Sequence, residues 1–226
     1  VLAPVLRSFE PLLSAQEDLV GELTKRLKEL GLELPQGQPD RMDQGVSLLA
    51  GATFAGFAPA VLTSAERLLP LLSRMDAVVS YKDALEVFFL KSDKADAQKI
   101  EELVAAVVSG NKKTIEGLAQ KIDVDPLVLH FVAGFVVAPV LRALTALVVA
   151  AGDEAPWEMG DVWRQGYCPM CGALPTMGWM DKPAIDEKNA FLAGGGGKKH
   201  LHCGTCGADW KYRRGACPAC GEEGSG

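Results

Sequence analysis

The chain has 226 residues, of which 48% are hydrophobic and 23% are charged, and its formal net charge is −6. This composition is typical of a globular protein with one or two domains. Residues 161–226 carry 8 Lys and Arg against 7 Asp and Glu, so the acidic excess lies in residues 1–160, whose net charge is −7. An acidic body of this kind argues against a primary nucleic-acid-binding protein.

Two helices are predicted at the start of the chain. Hydrophobic residues at helical spacing indicate the first over residues 1–13. The segment SAQE at Ser14–Glu17 is a capping box, in which the serine and the glutamate each satisfy a backbone N–H of the other. It predicts that a second helix begins there and continues to about Leu30, with Gly31 as its C-terminal stop.

Further helices are predicted through the cysteine-free part of the chain. A helix start is indicated at Thr63–Glu66, with Pro70 expected to kink or interrupt it. Residues 76–91 continue a helical core face, residues 96–109 form an amphipathic helix, and residues 112–121 form a short one. This periodicity predicts a helical bundle over residues 1–160.

The most apolar segment runs from residue 127 to residue 151. Asp125 followed by Pro126 is a favourable helix start, and His130 and Arg142 are the strongly polar residues within the segment. A membrane-spanning helix is one interpretation, but an arginine near its middle would cost about 2.5–3.5 kcal/mol. A helix that is hydrophobic all round also lies at the centre of bundles. We therefore predict a central core helix without membrane insertion, and His130 as a core histidine.

All six cysteines lie in the last sixty or so residues, in three copies of a Cys-x-x-Cys-Gly unit. The three pairs are Cys168 and Cys171, Cys203 and Cys206, and Cys217 and Cys220. Two cysteines at this spacing in a tight turn can direct both sulfurs at one ion, and the glycine that follows takes a positive φ. Two such turns, here called knuckles, make a site of four thiolates.

Two other uses of the cysteines compete with metal binding. Disulfides are disfavoured because cysteines separated by two residues rarely bridge each other comfortably. The start of the chain also lacks a charged segment followed by an apolar one, so nothing there directs it to an oxidising compartment. A thioredoxin-like pair should open a helix after a strand. Here a glycine follows each pair, so all six cysteines are predicted metal ligands.

A small sheet is predicted around the first two knuckles. Short strands at residues 176–180 and 199–202 flank a loop at residues 181–197, and a third β-like run covers residues 208–214. The order predicts a rubredoxin-like or zinc-ribbon module over residues 161–226.

The first two knuckles are predicted to share one ion. The strand order brings Cys168 and Cys171 to the same end of a hairpin as Cys203 and Cys206. The competing arrangement joins the second knuckle to Cys217 and Cys220, but it leaves little room for two antiparallel strands.

The cysteine motifs and their flanks resemble the FdhE family, the accessory proteins of formate dehydrogenase. The resemblance rests on WRQGYCPMCGALP at residues 163–175 and LHCGTCGADWKYRRGACPACG at residues 201–221. It implies a helical domain joined to rubredoxin-like modules with four cysteine ligands each, with iron as the favoured ion. It also implies a cytoplasmic, non-catalytic role in assembling or activating formate dehydrogenase, whose catalytic subunit would be the partner. The family pattern has a fourth Cys-x-x-Cys pair that completes a second site, and this sequence shows three.

The chemistry of the predicted site leaves several functions open. Four thiolates leave no open coordination position, so such a site is structural or electron-carrying, and it accepts either zinc or iron. His200 and His202 were considered as ligands, although a half-exposed strand explains them equally well. A basic set next to the aromatic Trp210 and Tyr212 is typical of a solvated strand face, a protein-docking surface or a nucleic-acid contact; it comprises Lys198, Lys199, Lys211, Arg213 and Arg214.

Three hypotheses therefore stand: an assembly factor, a nucleic-acid-binding zinc ribbon with a helical appendage, and an electron-transfer rubredoxin-like protein that needs iron. The acidic body favours the first. The sequence leaves open a homodimer.

Overall fold

The computed structural model describes residues 2–91, 94–159, 162–181 and 197–223. The chain divides into two compact units. The first, here called the helical unit, comprises Val1–Leu34 and Gly51–Leu147, and the second, the cysteine unit, comprises Pro35–Ala50 and Val148–Gly226. The predicted helical domain had included residues 35–50 and 148–160, which lie in the cysteine unit.

Helices dominate the described part of the chain. They are α1 Leu2–Glu29, α2 Pro39–Asp43, α3 Ala58–Leu72, α4 Asp76–Val79, α5 Lys82–Leu90, α6 Lys94–Ser109, α7 Lys112–Lys121 and α8 Pro126–Ala150. Three helix boundaries lie close to the positions that the sequence predicted. Gly31 at φ +60 follows the end of α1, Asn111 caps α7 by accepting from the Thr114 N–H at 3.2 Å, and Asp125 caps α8 by accepting from the Leu127 N–H at 2.8 Å.

Helix α8 is the core helix of the helical unit. It is long and apolar enough to cross a membrane, but 72% of its most apolar window is buried inside the protein. Its buried side chains include Val132, Val136, Val140 and Leu144. His130 corrects the sequence prediction, because it is exposed on α8 rather than buried in the core. Only a few positions of this largely buried helix are exposed to solvent, and His130 occupies one of them.

Two predicted helix starts are wrong. Helix α1 runs unbroken through Ser14 and contains Pro11, because one apolar face, including Leu12, Leu19 and Leu23, is buried along its length. The apparent capping box is therefore interior to the helix.

Helix α3 begins at Ala58, before the predicted start at residues 63–66, and continues through Pro70 to Leu72. Ser64 is not a cap: it is fully buried, and its Oγ donates to the Val136 carbonyl of α8 at 2.6 Å. Interhelical packing thus uses the polar residues that the local pattern assigned to a helix end.

The cysteine unit contains a three-stranded antiparallel sheet in the order β1-β2-β3. Its strands are β1 Met177–Met180, β2 Lys199–His202 and β3 Asp209–Tyr212. Gly178 pairs with Leu201, which in turn pairs with Trp210. Trp210 is almost fully buried and anchors the small core of this unit. The predicted class, a helical bundle with a small four-cysteine β module, is confirmed.

Candidate metal centre

Four of the six predicted ligands converge on one point in the cysteine unit. The sulfurs of Cys168, Cys171, Cys203 and Cys206 all lie within 4.8 Å of one another, and all four residues are buried. The Cys168 and Cys206 sulfurs are 3.5 Å apart, as are those of Cys171 and Cys203. A tetrahedral ion with bonds of about 2.3 Å to sulfur requires sulfur–sulfur distances of about 3.8 Å. The donor set and its spacing therefore fit a zinc or iron ion.

The three knuckles share one backbone design. In each, the N–H of the first cysteine donates to a carbonyl five residues on, and the N–H of the glycine donates back to the first cysteine's carbonyl. These bonds are 2.8–3.0 Å long. Gly172, Gly207 and Gly221 have φ of +81, +74 and +74, as the Cys-x-x-Cys-Gly spacing predicted. The local sequence alone therefore forms the turn.

The sheet brings two of these knuckles together. The second knuckle is the loop of the β2–β3 hairpin, since its cysteines lie between His202 and Asp209, which pair across the two strands. The first knuckle precedes β1, and the Thr176 N–H donates to the His202 carbonyl at 2.9 Å. Pairing of β1 with β2 therefore places both knuckles at the same end of the sheet, as predicted.

Three thiols of the cluster have shifted pKa values. Hydrogen bonding with Cys171, then with Cys203, and burial raise the pKa of the Cys168 thiol far above its ordinary value. Hydrogen bonding with Cys168, then with the other two cysteines, and burial raise the pKa of Cys206 in the same way. The pKa of Cys203 is lowered, because its thiolate accepts hydrogen bonds from the surrounding thiols, that of Cys168 first. Without an ion, Cys168 and Cys206 therefore keep their protons more readily than Cys203 does.

Comparisons with known proteins agree with the cysteine motifs. No protein-family model matches the chain. Proteins named FdhE homolog from Shewanella oneidensis and from Shewanella baltica are each 32% identical to it over 62 residues, which is 27% of this chain and 17% of the relative. Over these 62 residues the chain is similar to the FdhE proteins. The resemblance predicted from the motifs is thereby confirmed, while the matched segment spans about a sixth of each relative's length.

A solved structure, that of the FdhE protein from Pseudomonas aeruginosa, is also similar. It shares 19% identity, with a TM-score of 0.43, over 96% of this chain and 69% of that one.

A segment far away in the sequence contacts and supports the first knuckle. The Leu48 and Leu49 N–H groups donate to the Pro169 and Met170 carbonyls at 2.8 and 2.9 Å. Ser47 Oγ donates to the Cys168 carbonyl at 3.0 Å. We call residues 45–49 the brace. Nothing in the sequence pattern indicated it, because its residues carry no motif and are separated from the knuckle by about 120 positions.

Tyr167, which directly precedes the first knuckle, also contacts the brace. Its hydroxyl donates to the Gly45 carbonyl at 2.6 Å, and a neighbouring ring, that of Trp163, packs edge-on against it. The indole of Trp163 donates to the Tyr167 carbonyl at 3.0 Å. The brace therefore holds both the backbone of the first knuckle and the residue that precedes it.

The third knuckle stands apart from the four-sulfur cluster. Cys217 and Cys220 are exposed, and the pKa of Cys217 is lowered by the backbone N–H groups of Cys220 and Ala219. Tyr212 donates to the Cys217 carbonyl at 3.2 Å, and Lys199 Nζ donates to the Ala216 carbonyl at 2.8 Å. This knuckle is formed and held in place, and its role as a metal ligand stays a prediction.

Both histidines of β2 have carboxylate partners instead of sulfur neighbours. His200 Nε2 lies 2.9 Å from Asp181 Oδ2, and its ring stacks on Trp179. His202 Nδ1 lies 2.7 Å from Asp209 Oδ1. Neither belongs to the four-sulfur cluster, so the half-exposed strand was the better of the two interpretations.

Proposed function

We propose that this protein is a non-catalytic accessory protein that binds formate dehydrogenase and helps to assemble or activate it. The observation that carries the proposal is the closed cluster of four buried cysteine sulfurs, found in a relative of proteins named FdhE homolog. The partner would be the catalytic subunit of formate dehydrogenase, and the two proteins would bind each other in the cytoplasm. Both the helical unit and the cysteine unit would contribute to binding.

The cluster is proposed to hold iron or zinc as a structural or electron-carrying ion. Cys168, Cys171, Cys203 and Cys206 would be its ligands, and four thiolates leave no coordination position for water or substrate. When bound, the ion would fix the two knuckles relative to each other. Cys217 and Cys220 offer two further thiolates for a second ion, which would need ligands from elsewhere.

Nucleic-acid binding by a zinc ribbon is the less favoured function. The comparisons give it no support, and residues 35–50 and 148–226 together carry 12 Asp and Glu against 9 Lys and Arg. An acidic unit is a poor general binder of phosphate backbones.

The proposal is tested with a protein in which Cys168 and Cys171 are both replaced by serine. We expect the variant to lose its ion, to keep its helical circular dichroism, and to retain less formate dehydrogenase in a pull-down than the unchanged protein. Formate oxidation in cells that depend on this protein should fall in parallel. Elemental analysis and a visible spectrum of the anaerobically purified protein distinguish iron, which is coloured when ferric, from zinc.

A second variant, with Cys217 and Cys220 replaced by serine, removes the same number of thiols from the exposed knuckle. It shows whether the loss of formate dehydrogenase binding is caused by the loss of the four-sulfur cluster. Full formate dehydrogenase activity with an ion-free cluster would mean that the metal module is dispensable, and unchanged protein that fails to retain formate dehydrogenase would contradict the proposal as a whole.

A further inference from the structure

A basic cleft lies on the cysteine unit, away from the buried sulfurs. It has a volume of about 500 Å3 and is lined by six cations: Arg164, Lys198, Lys199, Lys211, Arg213 and Arg214. The sequence had indicated five of them, and folding adds Arg164. They come from three separate segments of the chain, so the cleft is a product of the fold and not of one basic run.

The cleft already attracts carboxylates from its own chain. Glu158 forms an ion pair with Lys211 Nζ and accepts from the Lys211 backbone N–H at 3.3 Å. Glu223 lies 2.8 Å from a guanidinium nitrogen of Arg213. No acidic side chain lines the cleft itself among the described residues. The lining itself therefore contributes six positive charges and no negative charge among the described residues, which favours an anionic ligand.

The aromatic wall of the cleft adds a feature of protein interfaces. Tyr212 forms part of that wall, with Lys199 Nζ 5.4 Å and the Arg213 guanidinium carbon 5.8 Å from its ring centre. Trp163 lies beside Arg164 in the lining. Arginine, tyrosine and tryptophan dominate the binding energy of protein interfaces.

The size and surroundings of the cleft restrict its ligand. A volume of about 300–1,000 Å3 accommodates a molecule much larger than one inorganic anion. A nucleic acid would carry further phosphates across a unit whose acidic residues outnumber its basic ones, and those phosphates would be repelled. A short chain that presents a few carboxylates meets the cations without extending over the acidic surface.

We propose that this cleft binds an acidic, Asp- and Glu-rich polypeptide segment of the partner protein. The inference rests on the proposed function, because it names the surface on which that partner docks and the chemistry of the segment that fills it. Carboxylates of the segment would pair with the lysines and arginines that line the cleft.

The test measures binding of three fluorescent probes to the full chain by anisotropy. They are a short peptide rich in Asp and Glu, the same peptide with Asn and Gln in their place, and a single-stranded oligonucleotide of equal charge. We expect the acidic peptide to bind best and to weaken as salt is added. Tighter binding of the oligonucleotide, or equal binding of the neutral peptide, would overturn the proposal.

A charge reversal locates the site. Arg164→Glu combined with Lys198→Glu should weaken binding of the acidic peptide by about tenfold or more. Lys25→Glu combined with Lys28→Glu makes the same change of net charge on exposed positions of α1 and should alter binding by less than about twofold. Equal effects of the two pairs would contradict a specific site.

Two further readouts keep the outcomes separate. Metal content and tryptophan fluorescence show whether the variant with Arg164→Glu and Lys198→Glu is folded. If it is not, the milder pair Arg164→Gln and Lys198→Gln should also weaken binding of the acidic peptide. Acidic peptide bound at the cleft by a protein that does not retain formate dehydrogenase would leave this inference standing and contradict the proposed client. Formate dehydrogenase retained equally by the cleft variant would contradict the inference alone.

Discussion

Gly166 shows how one missing side chain shapes the cysteine unit. A Cβ at this position would lie 2.0 Å from the Pro218 carbonyl oxygen and 2.7 Å from the carbonyl carbon. Real Cβ atoms do not come this close to a backbone atom. The third knuckle can therefore pack against the segment that precedes the first knuckle only because residue 166 is glycine. The Gly-Tyr-Cys-Pro sequence that resembles the FdhE family thus has a packing reason in this chain.

Gly166→Ala should destabilise the cysteine unit by about 1–3 kcal/mol, because the Pro218 backbone must move to make room. All four tryptophans, at positions 157, 163, 179 and 210, lie in the cysteine unit, so their fluorescence reports its thermal unfolding selectively. Gly215→Ala is the matched control, since nothing lies within 4 Å of its Cβ position. Equal melting of the two variants would show that the close approach to Pro218 does not matter.

The protonation of the cluster gives a pH dependence with a definite sign. The raised pKa of Cys168 and of Cys206 means that an entering ion must displace their protons at neutral pH. Apparent metal affinity should therefore fall as pH falls, by about tenfold per pH unit for each proton displaced. Competition with a chelator at several pH values measures this. Both thiols should still hold their protons between about pH 6 and about pH 8, so an affinity independent of pH in this window would contradict the predicted protonation.

At the scale of elements, the brace at residues 45–49 completes the first knuckle. The local Cys-x-x-Cys-Gly sequence forms the turn, but it leaves the Pro169 and Met170 carbonyls directed away from it. Leu48 and Leu49 supply the missing donors, and buried carbonyls without donors are costly. The brace therefore lies in the chain between the two segments of the helical unit, and it contacts a knuckle about 120 residues later.

Ser47→Ala tests the brace with a small change. The Cys168 carbonyl still accepts from the Gly172 N–H at 2.9 Å, so the loss is one hydrogen bond, worth about 0.5–1.5 kcal/mol. We expect a lower melting temperature by tryptophan fluorescence and faster release of the ion to a chelator. Ser109→Ala is the control, because Ser109 is exposed and bonds to the Ala105 carbonyl of its own helix at 2.7 Å. If the Ser47 variant melts like the unchanged protein, the brace contributes little stability.

At the scale of the whole molecule, the two units differ in what stabilises them. The helical unit has a continuous apolar core, with Leu68, Leu72 and Val136 fully buried. Among its described residues, the cysteine unit has three strands of four residues each. A sheet this small is rarely stable without a crosslink such as a disulfide or a bound metal ion. An ion at the cluster would supply that crosslink.

Removal of the ion by a chelator should therefore loosen only the cysteine unit. In hydrogen exchange, the amides of β1, β2 and β3 should lose protection, while those of α3 and α8 keep theirs. A protein washed identically without chelator is the control. Uniform loss of protection over both units would mean that they unfold together. No loss of protection in the sheet would mean that the ion does not stabilise it.

The sequence by itself determined the features that depend on neighbouring residues. The three knuckles, their positive-φ glycines, the Asp125 cap and the partners of the four-sulfur cluster follow from spacing and turn chemistry. These are local preferences, which the chain carries with it wherever it folds. The strand pairing followed as well, because two knuckles of one site must lie at the same end of a hairpin.

Only the tertiary structure decided the features that join distant parts of the chain. It placed the brace on the first knuckle, the Pro218 carbonyl against Gly166 and Arg164 in the basic cleft. It also buried Ser64 between two helices and left His130 exposed on an apolar one. The physical reason is the same in each case: burial and long-range hydrogen bonding outweigh local propensity, and no short pattern records which distant segment will arrive.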